Sequence, residues 1–273
     1  MSESKDQACW GLLGPSEIEV SKSFINKGYI ITDVHDVAAL EDIRKRVVTY
    51  LTKRNNLKPS LPDNILNQFH NWCNAEELNE LRLEIIHSLN TGSGISESYF
   101  SLARPLLEIL VGNELVMQHR VNLSIQLPHD ANSLLPVHAD VWSGDSPYEV
   151  VVWTPLVDCY QTKSMFILPP EKAELLHDCF QDFKDRSSED IYSEIEADLV
   201  WLDVPYGKTV VFNQNLPHGN RVNVEHETRW SLNCRFKSVF SPYSDKKIGE
   251  YFMPITLRAA SRIGMAYRYP TFK

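Results

Sequence analysis

A stripe of hydrophobic residues at helical spacing follows Asp36, a residue type that often caps the N-terminus of a helix. The stripe predicts a helix that runs to Arg54 and buries one face. Its members are Val37, Leu40, Ile43, Val47 and Leu51. A short strand is predicted directly before this helix, over residues 28–34, because aromatic and β-branched residues there follow a glycine.

Two more amphipathic helices are predicted over residues 75–89 and 96–111 from the same spacing of hydrophobic positions. The segment 91–94, which contains two glycines, separates them. Residues 55–71 include two prolines and are expected to form a loop, and residues 1–15 a polar tail. The first part of the chain is therefore predicted to be mostly helical.

After Glu114 the hydrophobic period changes from helical to alternating, which is typical of strands. Only one further helix is predicted beyond this point, over residues 170–185. The strands are predicted at 115–127, 148–157, 163–168, 198–203, 208–213 and 228–240. Helices followed by a set of antiparallel strands predict an α+β fold, a two-sheet barrel with helices packed on its outside.

The length of 273 residues and the single change of period are interpreted as one domain spanning residues 1–273. Within it we expect a mostly helical support at 1–113, a strand-rich core at 114–240 and a C-terminal extension at 241–273.

Two predicted strands each carry a polar row opposite a hydrophobic row, because side chains alternate between the two faces of a strand. The polar rows are Gln118, Arg120, Asn122, Ser124 and Gln126 on one strand, and Arg229, Ser231, Asn233 and Arg235 on the other. One explanation is a solvated outer face above a hydrophobic core. The other is that helices cover the hydrophobic faces, so that the polar rows line the interior of the barrel and bind ligands there.

Composition narrows the possible partners. Hydrophobic residues make up 43% and charged residues 23% of the chain, which is ordinary for a globular protein, and the formal net charge is −9. A negative chain is a poor match for nucleic acids or anionic membrane surfaces, so we expect a small-molecule substrate and neither of those partners. Hydrophobic runs long enough for a membrane helix and the hydrophobic core of a signal peptide are both lacking in the sequence.

The five cysteines are scattered and include no Cys-x-x-Cys pair, so neither a disulfide framework nor a zinc finger is indicated. This usage fits a reducing compartment, and we expect the protein to be cytoplasmic.

The strongest chemical signal is the motif His138-Ala139-Asp140, which His218 follows 80 residues later. A His and an Asp two positions apart point to the same side and can bind one metal, and a His from a distant strand can complete the set. Two histidines and one carboxylate suit non-haem Fe(II) and leave positions open for O2 and a chelating co-substrate. Each residue alone is ordinary, since either His could be a hydrogen-bonded core residue and Asp140 could cap a turn.

The motifs and their context resemble the Fe(II)/2-oxoglutarate-dependent dioxygenases, and within that superfamily the phytanoyl-CoA hydroxylase-like branch. The resembling segments are Val137-His138-Ala139-Asp140, Glu149 to Pro155, Met165 to Pro169, Gly207 to Asn213, His218-Gly219-Asn220 and Arg229-Trp230-Ser231. They cover about residues 115–240, with a weaker match over 24–50. The resemblance implies a double-stranded β-helix, or jelly-roll, core, with Fe(II), 2-oxoglutarate as co-substrate and O2.

The resemblance also implies a co-substrate anchor. Arg229 lies 11 residues after His218 and is expected to bind the distal carboxylate of 2-oxoglutarate, because a guanidinium offers a fork that matches a carboxylate. Ser231, on the same face, is expected to add a hydrogen bond. Arg235 shares that face and competes for the anchoring role. Asn122 and Gln126 are assigned to the keto-acid end of the co-substrate or to the substrate.

The substrate side is predicted from neighbouring polar and aromatic positions. Arg120 is expected to bind an anionic group, and Trp142 to form a wall of the pocket. Arg235 is placed on the substrate side as well. Asn220 is placed there too, and it is also expected to orient the adjacent His218.

The predicted function is hydroxylation of a small polar metabolite or a sugar-linked intermediate by an Fe(II)- and 2-oxoglutarate-dependent oxygenase. Asp140 argues against the halogenating relatives, which lack this carboxylate. Two alternatives stay open: a cupin-like isomerase or hydrolase that uses another divalent metal, and a non-catalytic barrel that binds a small molecule. Conversion of 2-oxoglutarate to succinate would separate the three.

Overall fold

Helices form most of the N-terminal part of the chain, and strands follow them. The structure is a computed structural model that describes residues 12–58, 60–92, 94–184 and 186–271. Residues 1–11 of the predicted tail lie outside the described residues. The helices are α1 (Pro15–Lys27), α2 (Val37–Arg54), α3 (Pro62–Asn67), α4 (Ala75–Thr91), α5 (Ile95–Leu110), α6 (Pro170–Asp178), α7 (Ser188–Ile195) and α8 (Ala259–Ala266).

The predicted helix after Asp36 is confirmed as α2, and the Asp36 carboxylate caps it by accepting a hydrogen bond from the Ala39 amide at 3.0 Å. The helices predicted over 75–89 and 96–111 are confirmed as α4 and α5.

The loop prediction for residues 55–71 was wrong in part, because α3 lies inside it. Pro62 occupies the first turn of α3, where a missing amide hydrogen costs nothing. The helices α1, α7 and α8 were not predicted. In α8 every residue is at least partly exposed, so this helix has no buried stripe for the sequence to reveal. Among the helices that the structure describes, none has both the length and the hydrophobicity that a membrane span requires.

The strands of the described chain form two antiparallel sheets. Their bounds are β1 (Tyr29–Asp33), β2 (Leu115–Gln118), β3 (Asn122–Gln126), β4 (Val150–Pro155), β5 (Phe166–Ile167), β6 (Val200–Trp201), β7 (Lys208–Asn213), β8 (His218–Gly219), β9 (Arg229–Ser238) and β10 (Phe252–Thr256). The larger sheet has the order β1-β7-β4-β9-β2-β10, with β3 also paired to β9, and the smaller sheet has the order β6-β5-β8. The α+β prediction is confirmed, although the larger sheet stays open between its edges β1 and β10.

The long strand predicted over 115–127 is interrupted, and residues 119–121 separate β2 from β3. Both strands pair with β9: Met117 lies opposite Phe236, and Asn122 lies opposite Asn233. Between these two pairs, four residues intervene on the chain from β2 to β3, and two residues intervene on β9. A difference of two preserves the alternation of side chains, so β3 keeps the face that the sequence predicted.

Helices cover the hydrophobic face of β9. The indole nitrogen of Trp230 donates to the Leu66 carbonyl of α3 at 2.9 Å, and the Phe69 ring contacts the Trp230 ring edge-on at 5.1 Å. The Tyr99 hydroxyl of α5, fully buried, donates to the carbonyls of Val152 and Leu232 at 3.0 and 3.1 Å. The hydrophobic core thus lies between the helices and the larger sheet, and the polar row of β9 faces away from it.

Candidate metal centre and co-substrate site

Main-chain pairing brings the two candidate histidine ligands together. The His138 amide donates to the His218 carbonyl at 3.0 Å, and the His218 amide donates to the His138 carbonyl at 2.8 Å. The neighbouring Gly219 allows this close approach, because a Cβ there would lie 2.7 Å from the Leu135 carbonyl oxygen. The two ligands are distant in sequence, and the strand-like bridge between them fixes their relative position.

Asp140 completes the site from the start of a short 3-10 helix, Asp140–Ser143. One ligand atom from each of His138, Asp140 and His218 lies within 4.8 Å of the others. The Asp140 Oδ1 atom is 3.6 Å from Nε2 of His138 and 4.0 Å from Nε2 of His218. Two imidazole nitrogens and one carboxylate oxygen around a common centre match the donor set of a facial Fe(II) site.

The other ring nitrogen of each histidine is held by a main-chain carbonyl. Nδ1 of His138 lies 2.8 Å from the Pro136 oxygen, and Nδ1 of His218 lies 2.8 Å from the Leu216 oxygen. Since a carbonyl oxygen only accepts, each Nδ1 carries the proton and donates. Each Nε2 is then left with its lone pair toward the common centre, as metal binding requires.

Burial keeps His218 neutral. Burial, together with the neighbouring His138, lowers the pKa of His218 to about 4. A neutral imidazole is the form that binds a metal, so His218 is in its ligand form at neutral pH without any change of protonation.

Arg235 lies next to the metal site and binds its carboxylate. Nη2 of Arg235 donates to Asp140 Oδ2 at 2.7 Å, while Oδ1 faces the histidines. Burial alone would lower the pKa of Arg235, but the negative charges of Asp140 and Asp145 and the Tyr251 hydroxyl outweigh it and raise that pKa. Arg235 also lines both cavities, so its predicted substrate-binding role stays a prediction, although its charge is already paired with Asp140.

Arg229 lies on the same face of β9 and has a different environment. It is 3% exposed, and its two terminal nitrogens donate to the Ser164 carbonyl at 3.0 Å and to the Ser124 hydroxyl at 2.9 Å. Its Nε has no hydrogen-bond partner, and no described carboxylate lies within ion-pair distance of it. Burial lowers the pKa of Arg229 to about 10, so the group stays charged at neutral pH. A buried cation without an acidic partner is costly unless an anion joins it.

The Ser231 hydroxyl is also buried and has no hydrogen-bond partner among the described residues. Ser231 lies on the same face of β9 as Arg229, and Ser124 lies opposite it on β3. Arg229 lines the inner cavity, whereas Ser231 lines neither cavity, so it is the buried cationic donor Arg229 that fits a carboxylate-bearing molecule there. The residues present thus fit both a metal and a dicarboxylate co-substrate.

The structure divides the remaining predicted residues between two cavities and positions outside them. Asn220 lines the cavity at the metal site, and its side-chain oxygen accepts from the Leu135 amide at 2.7 Å. Asn122 lines the outer cavity instead and donates to Asn233 at 3.2 Å. Gln126 is buried, lines neither cavity and donates to the Arg221 carbonyl at 2.6 Å.

Arg120 and Trp142 also lie outside both cavities. Arg120 is exposed, because it falls in the interruption between β2 and β3 rather than on a strand. The Trp142 ring packs against Phe180 with 4.9 Å between ring centroids. Neither placement supports the substrate contacts that the sequence predicted.

The inner cavity, at the metal site, measures about 100 Å³, and the outer cavity beside it about 510 Å³. They share Ser124, Leu135, His138, Asn233 and Arg235. The sequence analysis missed Arg82 and Asn79 of α4, which line the outer cavity. No local motif marks them, because they belong to an ordinary amphipathic helix and reach the site only through its packing on the barrel.

Comparison with solved structures finds similar folds at low sequence identity. The non-heme monooxygenase ThoJ, solved as a nickel complex, shares 17% identity over 89% of this chain and 85% of its own, with a TM-score of 0.51. HygX from Streptomyces hygroscopicus, solved with nickel and 2-oxoglutarate, shares 14% identity over 86% and 90%, with a TM-score of 0.50. AviO1 from Streptomyces viridochromogenes shares 17% identity over 84% and 97%, with a TM-score of 0.52.

No protein-family model and no curated protein sequence matches the chain. The structural similarities, at these low identities, show the fold. They confirm the predicted double-stranded β-helix core with helices on its outside.

Proposed function

We propose that this protein is an Fe(II)- and 2-oxoglutarate-dependent oxygenase that hydroxylates a small polar molecule. The observation that carries the proposal is one cavity lined by both a metal-binding triad and a buried arginine without an acidic partner. The triad has the donor set for Fe(II), and Arg229 has the charge for a carboxylate beside it.

The solved structures support this reading. HygX was solved with nickel and 2-oxoglutarate, and ThoJ is a non-heme monooxygenase. A chain with the same fold and with residues that fit both groups is a good candidate for the same chemistry. The fold alone does not carry this step, since one fold hosts many functions.

The residues of this chain would divide the work as follows. His138, Asp140 and His218 would hold the metal and leave its remaining positions open. Arg229 and Ser231 would bind the distal carboxylate and so fix the orientation of the co-substrate. When bound, Fe(II) would supply the coupling of oxidative decarboxylation of 2-oxoglutarate to insertion of oxygen into a C–H bond.

Hydrophobic side chains wall the inner cavity and limit access of water. The walls are formed by Leu135, Val151, Trp153, Met165 and Phe212. Exclusion of water strengthens the attraction between Arg229 and a bound carboxylate, because the local dielectric falls.

The two alternatives leave Arg229 unexplained. A cupin-like isomerase or hydrolase needs the triad alone, and a non-catalytic barrel needs neither the triad nor a buried cation. Without a bound anion, either alternative would leave the buried charge of Arg229 without a counter-charge.

Turnover of 2-oxoglutarate tests the proposal. Purified protein with Fe(II), ascorbate, labelled O2 and a pool of polar metabolites should convert 2-oxoglutarate to succinate that carries one labelled oxygen, with the second in a hydroxylated metabolite. Asp140 occupies the position at which halide would otherwise bind, so the product should lack chlorine even in chloride buffer. Turnover at full rate without O2 or without 2-oxoglutarate would exclude the oxygenase and favour the isomerase.

Three finer features also belong to the proposal. The resemblance of the motifs favours the phytanoyl-CoA hydroxylase-like branch, the polar lining favours a polar metabolite or sugar-linked intermediate, and scattered free cysteines favour the cytoplasm.

A further inference from the structure

The outer cavity borders the inner cavity at the candidate metal site and has the size of a substrate pocket. Its volume of about 510 Å³ falls within the range of small-molecule sites, roughly 300–1,000 Å³. His138, a metal ligand, lines both cavities, as do Ser124 and Asn233. If the proposed function holds, a substrate that presents a C–H bond to the metal has to occupy this outer cavity.

The charges around the outer cavity differ in how far they are already neutralised. Arg235 is paired with Asp140 at 2.7 Å. The Asp130 carboxylate accepts hydrogen bonds within its own loop, from the Asn132 amide at 2.9 Å and from the Ser133 hydroxyl at 2.5 Å. Arg235 therefore has an ion pair, whereas Asp130 has hydrogen bonds from neutral groups only and keeps its negative charge.

Arg82 differs from Arg235 because it has no ion pair. Its Nη2 donates a hydrogen bond to the Asn79 side-chain oxygen, one turn earlier on α4, at 2.8 Å. No described carboxylate lies within ion-pair distance of Arg82, and the residue is half-buried. Among the described residues that line the outer cavity, Arg82 is thus the arginine without an ion pair, and Asp130 is the carboxylate without one.

Side-chain amides and hydroxyls form the polar part of the remaining lining. They are Asn79, Asn122, Asn132 and Asn233, with Ser124 and Ser133. An amide both donates and accepts, which suits hydroxyl groups. Hydrophobic residues of α4 and β3, including Leu78 and Leu123, form the other part of the lining.

We propose that the outer cavity binds a hydroxyl-rich substrate through a single anionic group, a carboxylate or a phosphate, which Arg82 holds while the asparagines bind the hydroxyls. This inference rests on the proposed function for the position of the substrate. It adds the charge of the substrate, which the metal site alone does not specify.

Two variants of α4 test the role of Arg82 with little risk to folding. Arg82→Gln removes the charge. Asn79→Asp is nearly isosteric, lies at an exposed position and places a carboxylate where Arg82 already donates, so it neutralises the site while keeping the arginine. Arg104→Gln is the matched control, because Arg104 is an exposed helical arginine that pairs with Glu108 and lines neither cavity.

The probes are glucose, glucose 6-phosphate and glucuronate, which share a scaffold and differ in charge. Their binding is measured by calorimetry to protein loaded with Ni(II) and 2-oxoglutarate, so that no turnover occurs. Both anions should bind the parent chain and Arg104→Gln about tenfold or more tightly than glucose does, as expected for a charge-assisted contact. In Arg82→Gln and Asn79→Asp, the ratio of the affinity for each anion to the affinity for glucose should be close to one. In the parent chain, the anion that binds more tightly shows whether the site prefers a phosphate or a carboxylate.

The inference is overturned if glucose binds as tightly as the anions, if none of the three binds, or if both α4 variants keep the preference. Failure of the proposed function is read separately, from the 2-oxoglutarate titration of the Ni(II)-loaded protein that precedes each sugar titration. If 2-oxoglutarate binds but the sugars do not bind as expected, the role proposed for Arg82 is wrong and the co-substrate site is intact.

Discussion

Two arginines lie on one face of β9, six residues apart, and their surroundings are opposite. Around Arg235, every part of the guanidinium is engaged: Nη2 by Asp140 at 2.7 Å, Nε by Gln214 at 3.1 Å and Nη1 by Tyr251 at 3.1 Å. Around Arg229, the partners are a carbonyl and a hydroxyl, and Nε has none. Arg235 thus has an anionic partner and a hydrogen bond at each nitrogen, whereas Arg229 has no anionic partner among the described residues.

The pKa values express the same contrast. The acidic neighbours of Arg235 raise its pKa despite burial, whereas burial lowers the pKa of Arg229 to about 10. The protein therefore stabilises the charge of Arg235 itself, whereas no described acidic group stabilises the charge of Arg229, which under the proposed function a bound carboxylate would do. Position on a strand face is thus not enough to assign a role, because the partners across the cavity decide it.

The largest effect should come from removing the metal ligands at the Arg235 end. The double variant His138→Ala/His218→Ala keeps one protein ligand of three, and its Fe(II) content should fall from about one ion per chain to below about 0.1. Metal analysis of the purified variant measures this. Full iron occupancy in the double variant would contradict the ligand assignment. Circular dichroism of the variant shows whether it keeps the fold.

The next effect concerns the Arg229 end alone. Arg229→Ala should raise the KM for 2-oxoglutarate by roughly 30-fold or more, since loss of a shielded charged contact costs about 2–5 kcal/mol. Fe(II) affinity should stay near that of the parent chain. Arg229→Lys keeps the charge but lacks the planar fork, so its KM for 2-oxoglutarate should lie between those of the parent chain and Arg229→Ala. Steady-state kinetics at saturating Fe(II) provides the measurement.

Arg235→Gln should show the reverse pattern. Asp140 would lose the partner of its Oδ2 atom, and Fe(II) affinity should fall about 10- to 100-fold, as for other groups that orient a metal ligand. At saturating Fe(II), the KM for 2-oxoglutarate should change little. Should Arg235→Gln raise that KM more than Arg229→Ala does, the roles of the two arginines are exchanged and the comparison fails.

Much of this contrast could be predicted from the sequence, and the reason is periodicity. Alternation along β9 placed Arg229, Ser231 and Arg235 on one face, and the resemblance to the oxygenase family, in which an arginine follows the second histidine at this distance, implied Arg229 rather than Arg235. The polar face of β3 was also predicted, because the interruption at 119–121 shifts the register by two residues and so preserves the alternation.

Other features depend on tertiary structure that no local pattern encodes. Asp140 and Arg235 are 95 residues apart, and their contact follows from how the loop after His138 docks on β9. Arg120 was placed on the polar row because the interruption left no mark in the hydrophobic pattern. Arg82 was missed since a helix shows its buried face in sequence but not which exposed residue will border a cavity.

The smallest expected effect tests whether the C-terminal extension takes part in the metal site. Tyr251 lies outside the predicted core, and its hydroxyl accepts from Arg235 Nη1 at 3.1 Å. Burial raises the pKa of Tyr251 to about 12, so the hydroxyl stays neutral and acts as a hydrogen-bonding partner. Tyr251→Phe removes that bond, worth about 0.5–1.5 kcal/mol, and keeps the ring that contacts Phe252 at 4.9 Å.

Fe(II) affinity of Tyr251→Phe should therefore fall about two- to tenfold, in the direction of Arg235→Gln and by less. The two variants and their double form a mutant cycle, measured by competition with a metal chelator. If Tyr251 acts through Arg235, Tyr251→Phe should have almost no further effect once Arg235 is Gln. An equal loss of Fe(II) affinity in the parent chain and in Arg235→Gln would show that Tyr251 influences the metal site independently of Arg235. The hydrogen bonds that hold Arg235 would then not depend on the segment before β10.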